Sequence, residues 1–184
     1  QEPLPIIGKY FPELGVVAAE RQLVRDAVAF IAMHPLEFLK ITLYRASIYF
    51  SFARPNGFWF HLHGAAKIAT IVLSSLYAFL LFIFGFLGVA KINTLSSADR
   101  ASARWLAGML VLMPLAIVFV VVETRYRFLS YPFLALFAGL GAQEFFTNRV
   151  SWKTTALVLL LVFGNAIFDI ARNFGRIVER IHGI

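Results

Sequence analysis

Arg125 and Arg127 stand one residue apart in "VVETRYRFLSYP", residues 121–132. That spacing brings two guanidinium groups within reach of one anion when the backbone is extended or turning. Guanidinium forks match phosphate oxygens in pairs, and each charge-assisted hydrogen bond contributes about 1.5–3 kcal/mol. Glu123 is placed to orient one of the arginines or to neutralise it. The same residue types also make a plain basic loop that anchors two membrane spans at the headgroups. An arginine at mid-bilayer costs roughly 2.5–3.5 kcal/mol on insertion scales. In either case the stretch belongs at an interface or against a polar cavity.

The remaining polar residues suggest less chemistry. Arg45 and Arg54 are candidates for secondary lipid contacts, by phosphate pairing or by simple snorkelling. His61 and His63 are two residues apart with no nearby carboxylate, and His34 lies elsewhere, whereas zinc needs three or four ligands. No metal and no cofactor is expected. With no cysteine in the chain, thiolate sites and disulfides are excluded. Asp99 falls in a polar loop, and Glu144 and Asp169 fall at span ends. No nucleophile–base pair, phosphate-cradling glycine loop or paired carboxylates occur, so no catalytic residue is assigned.

The surroundings of these residues are apolar. Hydrophobic residues make up 60% of the 184, Phe occurs 20 times, and mean hydropathy is +0.76. Soluble domains are about 45–50% apolar, and here the excess comes in long runs between short charged clusters. The expected fold is all-α: a polytopic transmembrane bundle of about four spans, preceded by interfacial amphipathic helices. Residues 1–65 read as a juxtamembrane loop and interfacial helices, and 66–184 as the transmembrane bundle with an amphipathic tail. The net charge of +7 is carried at the ends of apolar runs. Membrane lipids or a phosphate-bearing lipid are therefore the expected partners, rather than nucleic acid.

Along the chain, residues 1–19 carry prolines and glycines and read as a loop, and helical spacing begins at Glu20. His34-Pro35 closes that helix and opens another, because proline suits a first helical turn. Residues 36–52 contain Lys40 and Arg45 and suit an interfacial or tilted helix, with a short span as the alternative. Phe58, Trp59 and Phe60 form an interfacial aromatic cluster. Spans are expected at 68–89, 105–122 (with Pro114 a kink site), 128–146 and 155–168, and Ser96-Ser97-Ala98-Asp99 offers a helix cap before the second. In the tail, Arg172, Arg176 and Arg180 recur at four-residue spacing, as on the solvated face of a helix along the headgroups. The chain starts at Gln1 with no charged n-region and apolar h-region, as expected of a processed chain or part of a longer one. Cations do not set the orientation: Arg125, Arg127, Arg172, Arg176 and Arg180 on one side face Lys91, Arg100, Arg104, Arg149 and Lys153 on the other.

Two stretches together resemble the C-terminal third of bacterial lipid-linked-sugar glycosyltransferases of the GT-C superfamily. The relevant groups are the family 39, dolichyl-phosphate-mannose-protein mannosyltransferase-like enzymes and the aminoarabinose-transferase-like enzymes. One stretch is "AERQLVRDAVAFIAMHPLEFLKITLYRASIYF", and the other is "ETRYRFLSYPFLALFAGLG". The resemblance covers about residues 17–145, with Leu129 standing where the family pattern has its first proline and Pro132 matching the second. It implies transfer of a sugar from a polyprenyl-phosphate carrier to an acceptor, in a bacterial inner membrane. Arg125 and Arg127 would hold the carrier phosphate, with Tyr126 and Tyr131 lining the pocket. The motif loop and both chain ends would lie on the extracytoplasmic face. The family's further spans and its catalytic carboxylate, in the first extracytoplasmic loop, are not in this sequence. The chain would then act as the carrier-binding portion of a longer chain. A non-catalytic membrane subunit packed into a larger complex is the competing expectation.

Overall fold

The computed structural model describes residues 16–54, 62–119 and 124–182, with side chains over 17–54, 62–119 and 126–175. Among them are six α-helices: α1 (Val16–Met33), α2 (Pro35–Phe50), α3 (Gly64–Ala90), α4 (Ser97–Val118), α5 (Tyr131–Phe146) and α6 (Trp152–His182). Short 3₁₀ turns at Ile92–Thr94 and Thr124–Leu129 lead into α4 and α5. The helix is the expected form in a bilayer, because it satisfies its own backbone where water cannot.

The chain forms two compact units, Gln1–Leu43 and Tyr44–Ile184, with the boundary inside α2. In the first, α1 stops at Met33 and Pro35 starts α2, as the His34-Pro35 pair predicts. His34 bridges the junction: its N–H donates to the Phe30 carbonyl at 2.8 Å, and its own carbonyl accepts from Phe38 N–H at 3.0 Å. The two helices meet at a bend of 106°. Val24, Val28, Ile31 and Met33 are exposed along α1.

Three helices of the second unit are long and apolar enough to cross a membrane: Gly64–Ala90, Ser97–Val118 and the Trp152–Gly175 part of α6. A fourth crossing arises if the bent α1–α2 pair counts as one. The expected span at 128–146 comes out shorter. Thr124–Leu129 coils as a 3₁₀ turn, leaving α5 with 16 residues. At 1.5 Å per residue this helix is about 24 Å long, less than the roughly 30 Å hydrocarbon core. The last span is longer than expected, since α6 starts at Trp152 and runs unbroken to His182. Ser96 caps α4 as its sequence suggests: its hydroxyl oxygen accepts from Asp99 N–H at 3.3 Å and donates to the Asp99 carboxylate at 2.6 Å. Pro114 is buried inside α4, which continues to Val118.

The tightest pairing is α3 against α5. Lipid tails are as apolar as leucine, so helices associate in a bilayer through close packing, which small residues allow. A Cβ on Gly88 would strike the Phe137 carbonyl and the Gly141 nitrogen, and one on Gly141 would strike the Phe84 carbonyl and the Gly88 nitrogen. Each collision is with backbone, which has no rotamer to turn away. Around this contact, Leu81, Phe82, Leu87, Leu134 and Phe137 are buried, and Phe50 lays its ring 6.0 Å from those of Phe82 and Phe86. We expect Gly88→Val and Gly141→Val each to lower stability by about 1–3 kcal/mol or more, read as a drop in the thermal midpoint in detergent. Gly108→Ala and Gly139→Ala, whose Cβ atoms would meet nothing within 4 Å, should leave the midpoint unchanged or raised. Equal midpoints for all four variants would refute the backbone-to-backbone contact.

Candidate functional site

A helix leaves its last four carbonyls without intrahelical donors, and this problem organises the polar residues at one end of the second unit. At the end of α2, the Ile48 carbonyl accepts from Arg127 Nη2 at 2.5 Å, and the Ser47 carbonyl accepts from Asn165 Nδ2 at 3.0 Å. Arg127 Nη1 donates to the Arg54 carbonyl at 3.0 Å, in the turn that follows. The same device closes α4. Arg45 Nη1 donates to the Phe119 carbonyl at 2.9 Å and to that of Val118 at 3.4 Å. Cations at helix C-termini also complement the helix dipole.

Arg127 is 0% exposed, and burial pushes its guanidinium below the ordinary arginine value, partly offset by Tyr131. Arginine nevertheless keeps its charge in proteins. The motif is tied to α2 a second time through Tyr49, whose hydroxyl lies 2.6 Å from the Ser130 hydroxyl and donates to the Tyr126 carbonyl at 3.3 Å.

A second arginine on this end has an acidic partner. Arg54 donates from Nε to Asp169 Oδ2 at 2.8 Å and from Nη2 to Oδ1 at 2.6 Å. Asp169 sits on α6 and is 2% exposed. Asn173, one turn on, donates to the Asp169 carboxylate at 3.0 Å and accepts from the Tyr44 hydroxyl at 3.0 Å. Arg172 lies 4.1 Å from the centre of the Tyr44 ring. Burial works against charge on Arg54, but Asp169 outweighs it and holds the guanidinium above its usual value.

The candidate residues therefore fall in different places. Arg127 and Tyr131 are buried, with Tyr131 in edge contact with Tyr77, Phe82 and Phe128. The Tyr126 carbonyl is engaged by Tyr49. Arg125 belongs to the 3₁₀ turn, and its side chain, like the whole of Glu123, lies outside the described residues. Arg45 and Arg54 join the same end. His61 and the aromatic cluster at 58–60 lie outside the described residues, and among those described no group of metal-ligating residues occurs. The sequence marks Asp169 only as an acid at a span end, and it gives Asn165 and Asn173 no role. Their signal is a four-residue spacing of polar groups on an otherwise apolar helix, which marks the face turned into the bundle.

Removing one partner of a buried ion pair typically costs about 3–5 kcal/mol, whereas replacing both with apolar residues is often neutral. We therefore expect Asp169→Ala to lower the thermal midpoint in detergent sharply. The double variant Arg54→Met, Asp169→Leu should recover most of the loss. A double variant no more stable than Asp169→Ala alone would show that the pair is not an isolated ionic contact.

The chain matches no family model, no curated protein and no solved structure.

Proposed function

We propose that this chain is the lipid-carrier-binding part of a membrane glycosyltransferase that moves a sugar from a polyprenyl-phosphate donor to an acceptor, in a bacterial inner membrane. The observation that carries this reading is a convergence. The two stretches that resemble the GT-C enzymes are far apart in sequence, yet Arg127 and Tyr49 join them directly. The resulting end of the bundle is rich in arginine, as a phosphate requires.

In such a transfer the acceptor oxygen bonds to the anomeric carbon, and the bond from that carbon to the carrier phosphate breaks. The phosphate leaves with the electron pair. Cations already positioned around it stabilise the charge it gains. The base that takes the acceptor proton is a carboxylate located outside this sequence. Within the motif the two arginines then divide the work: Arg127 holds the backbone, and Arg125 contacts the phosphate.

A second reading has its own support. With both terminal nitrogens of Arg127 on carbonyls, the motif also serves a non-catalytic subunit that needs only a stable bundle. Sugar transfer by the complete enzyme separates the two. Loss of one charge-assisted contact worth about 1.5–3 kcal/mol predicts that Arg125→Ala lowers the transfer rate roughly tenfold or more, with the amount of protein in the membrane unchanged. Transfer at the wild-type rate would remove Arg125 from the phosphate site. The absence of any transfer by the unaltered protein would leave the subunit.

A further inference from the structure

The end of the second unit opposite the Arg127 motif carries its own set of cations. Lys91 follows α3, Arg100 and Arg104 lie one turn apart near the start of α4, Arg149 follows α5, and Lys153 lies in the first turn of α6. Contacts within and between the two connecting turns gather them. Lys91 Nζ donates to the Arg149 carbonyl at 2.5 Å, Arg104 Nη2 to Asn93 Oδ1 at 3.2 Å, and Arg100 Nη2 to the Leu95 carbonyl at 2.9 Å. The segments 91–104 and 144–153 hold two acids beside these five cations, Asp99 and Glu144. The Asp99 carboxylate accepts from the Ser96 hydroxyl inside the α4 cap. Glu144 is buried, and its carboxylate lies 3.9 Å from Arg149 Nη1, beyond hydrogen-bonding distance.

The positions of these cations call for an anion. Cations suit helix C-termini and anions suit N-termini, so Lys91 and Arg149, just past α3 and α5, are well placed. Arg100 and Lys153 are not, since each lies in the first turn of a helix. Among the described residues the Lys153 ammonium is exposed and forms no hydrogen bond or ion pair, and Arg100 Nε is buried without a hydrogen-bond partner. Aromatic rings stand beside the same cations. Arg104 precedes Trp105 on α4, Trp152 precedes Lys153 on α6, and Phe146 closes α5 three residues before Arg149. Phe146, Trp152 and Trp105 are 74%, 75% and 76% exposed. Tryptophan so exposed suits the headgroup level of a bilayer, where the ring meets acyl chains and its N–H meets polar groups. A free anion has no use for such rings, whereas a lipid brings acyl chains together with its phosphate.

We propose that this end of the bundle is a docking surface for anionic phospholipid, with headgroup phosphates on Arg104, Arg149 and Lys153 and the first acyl carbons against Trp105, Trp152 and Phe146. Guanidinium groups match phosphate oxygens, and the Arg149 side chain is 70% exposed to receive one. A zwitterionic lipid offers the same phosphate but brings an ammonium back with it. Five cations against two carboxylates favour a headgroup of net negative charge. The assignment uses no residue of the Arg127 motif. It therefore holds for a sugar-transferring enzyme and for a non-catalytic subunit alike.

The chain's own tryptophans supply the test. With Trp59→Phe removing the third, Trp105 and Trp152 report the lipid beside them through fluorescence quenching by brominated acyl chains. The full chain is placed in bilayers that mix phosphatidylglycerol with phosphatidylcholine, with bromine on one lipid or the other. Expected is a preference for phosphatidylglycerol of at least roughly fivefold at these rings. Adding Arg104→Gln and Lys153→Gln should lower it at least roughly threefold with the thermal midpoint in detergent unchanged, because both side chains are exposed and neither is in an ion pair. Lys153→Gln alone, which breaks no side-chain contact, should lower it in the same direction. Arg104→Lys with Lys153→Arg, which keep both charges, should retain it. Equal quenching by the two lipids before these changes, or an unchanged preference in the glutamine variants, overturns the docking surface. Loss of the preference in the charge-keeping variant overturns recognition by charge. Loss on adding an excess of inorganic phosphate overturns the lipid in favour of a free anion.

Discussion

Helix ends inside a bilayer protein cannot leave their last carbonyls to water, and the arrangement of the second unit follows from how those carbonyls are answered. Each unsatisfied group in hydrocarbon costs several kcal/mol, which is comparable to the whole stability of many domains. The ends of α3 and α5 are closed by the residues that follow them, whereas at the ends of α2 and α4 side-chain donors come from other segments. Arg127 and Asn165 reach the end of α2, and Arg45 reaches the end of α4. An arginine on a loop thereby becomes a tertiary contact between elements distant in sequence. The bonds fix the turn at 51–54, and that turn in turn positions Arg54 against Asp169.

This capping works only if the segments are already close, and the glycines make them so. Gly88 and Gly141 bring α3 and α5 to backbone contact, and α5 begins directly after the 3₁₀ turn that carries Arg127. Moving α5 away from α3 would shift that turn with it. The stability of the apolar core and the geometry of the polar end are therefore not separate matters. Packing supplies the position, and hydrogen bonding makes the position specific. Ser130 and Tyr49, both buried and 2.6 Å apart, sit where the two effects meet.

Much of this was legible in the sequence. The apolar run at 68–89 lies on α3, and the run expected at 105–122 lies on α4 as far as Val118, because length and hydropathy alone decide what can cross a bilayer. His34-Pro35 and Ser96 announce their boundaries through backbone chemistry that acts within a few residues. The span expected at 128–146 was shortened for a reason of the same kind but opposite direction. Ser130 N–H bonds to the Arg127 carbonyl as the 3₁₀ turn closes, and Pro132 in the first turn of α5 favours starting a helix there. What could not be read was the direction of a guanidinium. The fork that fits two phosphate oxygens fits two backbone carbonyls equally well, and residue type does not say which lies within reach. Only the fold, by setting the end of α2 beside residue 127, decides that.

The burial of Arg127 bears on the remaining arginines. A carbonyl is a dipole without net charge, so a cap of this kind does not by itself neutralise the arginine that makes it. Arg127 and Arg45 each satisfy helix ends while remaining cationic. Among the described residues, Arg54 pairs with the Asp169 carboxylate and Arg149 lies 3.9 Å from that of Glu144. Charge in a medium of low dielectric is screened little and acts over longer distances than in water. On the proposed reading, the capping arginines add to the attraction that a carrier phosphate feels, even though their own nitrogens are already occupied. Any arginine at this end that still has donors to offer works within that field, which is how a structural brace and an anion site can share one short motif.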